Sequence, residues 1–249
     1  MTIKSNYIKP KFKKKINPKI GLLALSTDLT IESDFQSICR KLPLDIFVNR
    51  IHNENPLTKE NLLKMYEQIE SITEKILPGE KINTVAYACT SGTIAIGEDK
   101  VKEKVQLAKP GSYVTTPITS AIKAFTKMNA KKIALFTPYP ESVNKTILEY
   151  FNRKNINIIS FSTFNIDLDV DIASVDPEYL LETLIKLNIN NADALFVSCT
   201  ALPALKIIEE VEKKVKKLVL SSNQTLIWDT IRSVGYKSSV EGYGKLLRK

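Results

Sequence analysis

Thr84-Val85-Ala86-Tyr87-Ala88-Cys89-Thr90-Ser91-Gly92 passes from an apolar run straight into small, hydroxylated residues. So short a run without polar alternation reads as a strand covered on both faces, and the small residues after it as the start of a helix. The same transition recurs further on, where Ala194-Leu195-Phe196-Val197-Ser198 leads into Cys199-Thr200-Ala201. Cys89 and Cys199 are separated by close to half of the 249-residue chain, the spacing that two similar half-domains would give.

Working outward, strands are expected over Lys19–Ser26, Leu44–Val48, Thr84–Ala88, Lys132–Thr137, Ile156–Phe161, Ala192–Ser198 and Leu218–Ser222. Helical patterns fall between them, at Ile31–Leu42, Lys59–Ile76, Ile94–Leu107, Ile118–Met128, Ser142–Arg153, Pro177–Leu187, Leu205–Val215 and Thr225–Val234. Alternating strands and helices imply an α/β protein with mostly parallel sheets and right-handed crossovers. Thr116-Pro117 and Asp176-Pro177 each put a capping side chain before a proline at the first helical position. Residues 165–176, with four aspartates, read as a long polar loop.

The composition is that of an ordinary soluble globule, 43% hydrophobic and 25% charged. Its net charge of +9 is concentrated at the ends: residues 1–19 hold seven lysines and no acid, and residues 237–249 hold four basic residues against Glu241. The body between is close to neutral, which does not fit a basic nucleic-acid surface built into a fold. Residues 1–18 read as a basic tail, either solvated or weakly attracted to nucleic acid or anionic lipid. No secretory leader or membrane-spanning run is visible. Three cysteines in a chain of this length are no disulfide framework and point to a reducing cytoplasm.

In parallel α/β sheets, ligands bind beyond the carboxyl ends of the strands, where helix N-termini direct backbone N–H groups and a positive dipole at them. Cys89 and Cys199 fall at such ends. That field is expected to pull their pKa below the free value of about 8.5. The hydroxyls of Thr90, Ser91 and Thr200, with Gly92, can hold a carboxylate or oxyanion beside each sulfur. Cys39, on an amphipathic helix, reads as a small buried hydrophobe. The single histidine, His52, sits in a polar stretch with no nucleophile motif near it, and reads as a surface residue. No clustered His/Cys spacing suggests a metal, and neither a dinucleotide fingerprint nor a phosphate loop is present. No cofactor and no metal are expected.

Ala88-Cys89-Thr90-Ser91-Gly92-Thr93, Thr115-Thr116-Pro117-Ile118-Thr119, Leu135-Phe136-Thr137-Pro138-Tyr139, Ser198-Cys199-Thr200-Ala201 and Ser222-Asn223-Gln224 occur in that order. Together they resemble the maleate cis-trans isomerase and arylmalonate decarboxylase family of the aspartate/glutamate racemase superfamily. Leu25-Ser26-Thr27-Asp28-Leu29-Thr30 is most similar to its ectoine-utilisation racemase-like branch. The resemblance implies two flavodoxin-like parallel-sheet halves related by a pseudo-twofold axis, with the active site in the cleft between them. We assign residues 19–115 plus 225–249 to one half and 116–224 to the other. It also implies that Cys89 and Cys199 face each other across the substrate and that Tyr139, the helix start at Thr116, and Asn223 line the cleft. Tyr139 could instead close a turn between Pro138 and Pro140. Two positions depart from maleate isomerases: Asp28 and, in the long loop, Asp169 stand where those enzymes carry asparagine. An ionised aspartate cannot donate a hydrogen bond to a substrate carboxylate. Two of them would repel a dianion such as maleate and suit an ammonium or amide N–H. Asp28 has the simpler alternative role of capping the helix that follows it.

These readings lead to a cofactor-independent, two-cysteine isomerase or racemase acting on a small carboxylate or amino-acid derivative. Two chemistries remain open on sequence alone: proton transfer on two faces, or cis-trans isomerisation through a Cys89 adduct. The substrate-binding candidates are Asp28, Thr90, Ser91, Thr116, Tyr139, Asp169, Thr200 and Asn223. Decarboxylation of the arylmalonate type fits less well, since those enzymes keep only the second cysteine. A non-catalytic carboxylate binder is a further alternative. The resemblance implies a homo-oligomer, a dimer or tetramer, with no nucleic-acid or membrane partner.

Overall fold

The apolar runs form strands where sequence periodicity puts them. The computed structural model describes residues 5–12 and 17–249. Four of the lysines assigned to the basic tail, Lys4, Lys13, Lys14 and Lys15, lie outside the described residues. Residues 5–12 are exposed and irregular.

The first sheet is built from β1 (Lys19–Leu25), β2 (Asp45–Ile51), β3 (Thr84–Tyr87) and β4 (Tyr113–Thr115). All its pairings are parallel, in the order β2-β1-β3-β4. The second uses β5 (Lys132–Thr137), β6 (Asn157–Thr163), β7 (Ala194–Val197) and β8 (Leu218–Ser221), parallel in the order β6-β5-β7-β8. The two orders are the same order repeated. In each, the direction of winding reverses beside the first strand, between β1 and β3 and between β5 and β7. Clefts for ligands open at the carboxyl ends of such strand pairs.

In the first half the crossovers use α1 (Ile31–Cys39), α2 (Lys59–Lys64), α3 (Tyr66–Glu74), α4 (Thr90–Ile96) and α5 (Glu98–Ala108). The second sheet is reached through α6 (Pro117–Lys127) and crossed by α7 (Glu141–Arg153), α8 (Asp169–Ala173), α9 (Pro177–Lys186) and α10 (Ile208–Val215), and α11 (Ser222–Ser233) follows its last strand. The two expected caps form: Thr116 accepts from the Thr119 N–H at 3.3 Å and Asp176 from that of Tyr179 at 2.8 Å. Helix α11 leaves β8 and packs back against α6, α1, β3 and β4. Hydrogen bonds from Thr115 to Thr230 (2.8 Å) and from Ser120 to Asp229 (2.9 Å) fix its course.

The structure departs from the sequence expectations in four places, the first being the helix expected over Lys59–Ile76, which is divided at Met65 into α2 and α3. The helix expected over Ile94–Leu107 is two helices, because Gly97 takes φ +100° and breaks the turn between them. Strand β4 is only three residues long, too short to show a period. The supposed loop 165–176 contains the short helix α8, whose first residue is Asp169.

Candidate active site

Strands β3 and β7 deliver the two cysteines, and burial of the flanking chain fixes them. Cys89 caps α4, its sulfur accepting the Gly92 N–H at 3.2 Å with the Ser91 hydroxyl 3.8 Å away. A Cβ on Gly92 would stand 2.8 Å from that sulfur and 2.7 Å from Met65, so only glycine permits this approach. Cys199 adopts φ +123°, a conformation that non-glycine residues rarely take. Its N–H donates to the Ser222 hydroxyl at 3.0 Å, which in turn lies 3.0 Å from the Thr90 hydroxyl. The Thr200 hydroxyl donates to the Ala88 carbonyl at 3.2 Å. These bonds tie the two cysteine segments directly together. The cysteines are 3% and 4% exposed.

Two buried carboxylates, Asp28 and Asp169, act on both sulfurs, and a third, Asp34, is joined to the Cys199 segment through Asn223. Asp28 follows β1; its Oδ1 accepts the backbone N–H groups of Thr30 (2.7 Å) and Ile31 (2.9 Å), so it does cap α1. Its Oδ2 is buried without a hydrogen-bond partner. Asp169, at the start of α8, accepts from the Asn53 amide (2.7 Å) and the Thr27 hydroxyl (3.1 Å), bonds that join the second half to the first. Asp34, on the buried face of α1, accepts from the Asn223 amide at 2.7 Å. That amide also donates to the Thr200 carbonyl at 2.8 Å. Arg50 donates to the Leu25 and Asp28 carbonyls, each at 2.9 Å, and pairs with Glu32.

The electrostatics correct the expectation of low-pKa thiols. Burial pushes the Cys89 thiol up to about 12, and the charge of Asp169 adds to it. The Cys199 thiol is pushed up by the same two causes. The Gly92 N–H at Cys89 and the Tyr139 hydroxyl at Cys199 oppose this without overcoming it. Burial also raises the carboxyls, Asp34 to about 7 and Asp169 to about 6, and Asp28 acts on both as a nearby like charge. Asp28 itself is raised by burial against the hydrogen bonds from Ile31 and Thr30. The resting site therefore holds neutral thiols among carboxyls whose pKa values burial raises, those of Asp34 and Asp169 to about 7 and about 6.

Cys89, Cys199, Asp28, Asp169, Tyr139, Thr90, Ser91, Thr200 and Asn223 are brought together by these contacts. Tyr139 is buried, with its hydroxyl at Cys199 and its carbonyl accepting from Asn144 at 2.6 Å. Thr116 stands apart: its hydroxyl is engaged with Thr119 at 2.8 Å, and it borders a groove shared with Glu98, Tyr113 and Lys123. His52 is exposed. Among the described residues no group of three or more His, Cys, Asp or Glu side chains is arranged to hold a metal. Asp34 and Asn53 touch these residues although no sequence motif selects them, and Ser222, within the Ser222-Asn223-Gln224 motif, is not among the expected site residues. Asp34 does carry a signal, since it shares one helix face with Ile31, Phe35 and Ile38 at helical spacing.

The family model for arylmalonate decarboxylase (Amdase) matches residues 62–247. A maleate isomerase from Geobacillus stearothermophilus is 26% identical over 245 residues, covering 92% of this chain and 96% of the relative. The crystal structure of a Pseudomonas putida maleate isomerase superposes with a TM-score of 0.85 at 19% identity, covering 94% of this chain and 99% of that one. A cysteine-to-serine mutant of the Nocardia farcinica maleate cis-trans isomerase, with a covalently bound succinylcysteine intermediate, also gives 0.85 at 21% identity, covering 93% and 98%.

Proposed function

The chain belongs to the arylmalonate decarboxylase family, and from that premise we propose that it is a cofactor-independent isomerase working through Cys89 and Cys199 on a small carboxylate or amino-acid derivative. The observation that carries this reading is the meeting of two buried thiols, from matching strand ends of the two sheets, around one set of groups. Asp28 and Asp169 each act on both sulfurs, and Tyr139 stands beside them. Inversion at one small carbon centre requires that both sulfurs reach it, from opposite sides.

In the proposed reaction one cysteine, as thiolate, takes the proton from the carbon next to the carboxylate. The C–H bond breaks, an S–H bond forms, and the electron pair moves into an enediolate. The opposite thiol then gives its proton to the other face and becomes the thiolate. Forming the first thiolate against burial and Asp169 requires that carboxylate charge be neutralised, by a proton or by a cationic group on the substrate. The Tyr139 hydroxyl supplies a donor where charge develops. Solvent-deuterium exchange at the α-carbon across a panel of carboxylates and amino acids tests the reading. Exchange that is lost in both Cys89→Ser and Cys199→Ser is expected. Activity surviving both substitutions would eliminate it.

A second reading is favoured by the succinylcysteine seen in the Nocardia farcinica relative. Cys89 would add to an alkene, the new single bond would rotate, and elimination would restore the thiolate. Mass spectrometry of Cys199→Ser with maleate would then find a covalent adduct on Cys89. The packing of α11 onto the first sheet supports grouping residues 225–249 with 19–115 as one half and 116–224 as the other. No helix among the described residues is long and apolar enough to cross a membrane. The three free cysteines support a reducing, cytoplasmic location, and the family resemblance supports a dimer or tetramer.

A further inference from the structure

Two buried oxygens beside the cysteine pair have no hydrogen-bond partner, and both are acceptors. One is Asp28 Oδ2, on a residue 1% exposed; the other is Asn223 Oδ1, also on a residue 1% exposed. The orientation of Asn223 is fixed by its neighbours. Asp34 Oδ2 at 2.7 Å and the Thr200 carbonyl at 2.8 Å are both acceptors, so the amide must turn its two N–H bonds to them and its oxygen away.

Most donors nearby are already committed, the exception being the buried Ser198 hydroxyl, next to Cys199 in the chain, which has no partner. The Thr200 hydroxyl stands between Asp28 and the Ala88 carbonyl, 3.2 Å from the latter, and has a single proton for the two; that of Thr30 goes to the Ala201 carbonyl at 2.7 Å. Thr27 and Asn53 serve Asp169, and Arg50 serves backbone carbonyls and Glu32. Lys206 acts on Asp34 from an exposed position. The surroundings of the thiols thus hold two unpaired acceptors and an excess of carboxyl groups, with the Tyr139 hydroxyl at Cys199 and Arg50 acting on Asp28 from the side. Leaving a buried acceptor unpaired is costly, and a carboxylate entering here would add repulsion.

We propose that the substrate carries a protonated amine at or beside the reacting carbon, seated on Asp28 Oδ2 and Asn223 Oδ1, and that Asp34 is the positioning residue that holds Asn223 with its acceptor toward the substrate. This rests on the two-cysteine reading above and narrows its substrate class. A primary ammonium brings three donors and one positive charge, enough for both oxygens. The raised carboxyls of Asp34 and Asp169 accord with this, because an arriving cation would return them to their ionised forms. Maleate, which has no N–H, uses none of these features.

The test uses ligand pairs that differ by one amine: alanine against propionate, aspartate against succinate, glutamate against glutarate. Binding is measured calorimetrically on the full chain carrying Cys89→Ser and Cys199→Ser, and α-deuterium exchange on the unaltered chain. At least one amine-bearing ligand should bind about tenfold or more tighter than its twin. Asp34→Asn, which leaves the Thr200 carbonyl as the one fixed acceptor holding Asn223, and Asp28→Asn should each reduce that ratio by about tenfold. A structural role alone would weaken both twins equally and leave the ratio unchanged. Equal or tighter binding of the amine-free twins, no binding by any amine-bearing ligand, or a ratio unmoved by both substitutions overturns the proposal. If amine-bearing ligands bind selectively yet no deuterium enters, the proposal stands and the isomerase reading falls. Turnover of maleate with amines ignored overturns the proposal and leaves the isomerase reading in place.

Discussion

Replacing Cys199 by glycine should leave a more stable protein than replacing it by alanine, against the usual order. Cys199 holds φ at +123°. A non-glycine residue in so sparsely populated a conformation costs on the order of 1–3 kcal/mol. It persists because its surroundings over-determine it: Ser222 takes its N–H, Phe136 takes that of Ser198 at 2.8 Å, and Asn223 holds the Thr200 carbonyl. Cys199→Ala removes the sulfur and keeps the strain, whereas Cys199→Gly removes both. The ordinary penalty of glycine relative to alanine is roughly 0.5–1 kcal/mol. Subtracting it leaves the glycine variant ahead by about 0–2.5 kcal/mol, with a midpoint of about 1 kcal/mol, or up to roughly 10 °C in Tm for a chain of this size. Cys89 supplies the control, since its φ of −143° is ordinary extended backbone. There alanine should beat glycine by the usual margin. Urea midpoints and thermal scans of the four variants decide the matter. If Cys199→Ala is as stable as Cys199→Gly while the Cys89 pair keeps its normal order, the backbone at Cys199 is not strained and the reasoning fails.

Gly92→Ala should destabilise the protein by about 1–3 kcal/mol through overpacking and blunt the reactivity of Cys89, because the new methyl would sit 2.8 Å from the sulfur; urea unfolding and thiol-alkylation rates check both effects. Stability should rise as pH falls from about 8 to about 5. The carboxyls of Asp34 and Asp169, raised to about 7 and about 6, bind protons in the folded chain before they would in the unfolded one, where the value is 3.8. Urea midpoints across that range measure the slope, and Asp34→Asn should flatten its upper part; with one histidine in the chain, few other side chains titrate there. Tyr139→Phe should lower turnover by roughly tenfold to a hundredfold while leaving the fold intact, since it removes one donor at Cys199; kcat with a circular dichroism control tests this.

Much of this architecture is legible in the residues. Unbroken apolar runs such as Thr84–Tyr87 and Ala194–Val197 mark central strands because both faces are covered, and the Cys-Thr transitions mark their carboxyl ends. The β4 strand is not legible because three residues carry no periodicity. Helix α8 hides because its aspartates have the composition of a loop, yet acids in a first turn are favoured by the helix dipole. The thiol pKa values run opposite to expectation for a different reason. Strand ends and helix starts are local, but the burial that dominates Cys89 and Cys199 is created by the meeting of two halves far apart in the chain. Asp34 is legible in principle: a carboxylate on the apolar face of an otherwise amphipathic helix is costly unless a partner awaits it.

Thiols only 3% and 4% exposed cannot be reached by a solute from outside while the chain holds this shape. The hydrogen bonds that span the halves around them form a latch, Thr30 to Ala201, Thr200 to Ala88, and Asn53 and Thr27 to Asp169, and a solute that enters by parting the halves would have to break it. Every catalytic cycle would begin and end with the same hinged motion, whatever the chemistry between. Its rate would then respond to solvent viscosity, and weakening the latch at Thr30 would quicken exchange of ligand while loosening the grip on it.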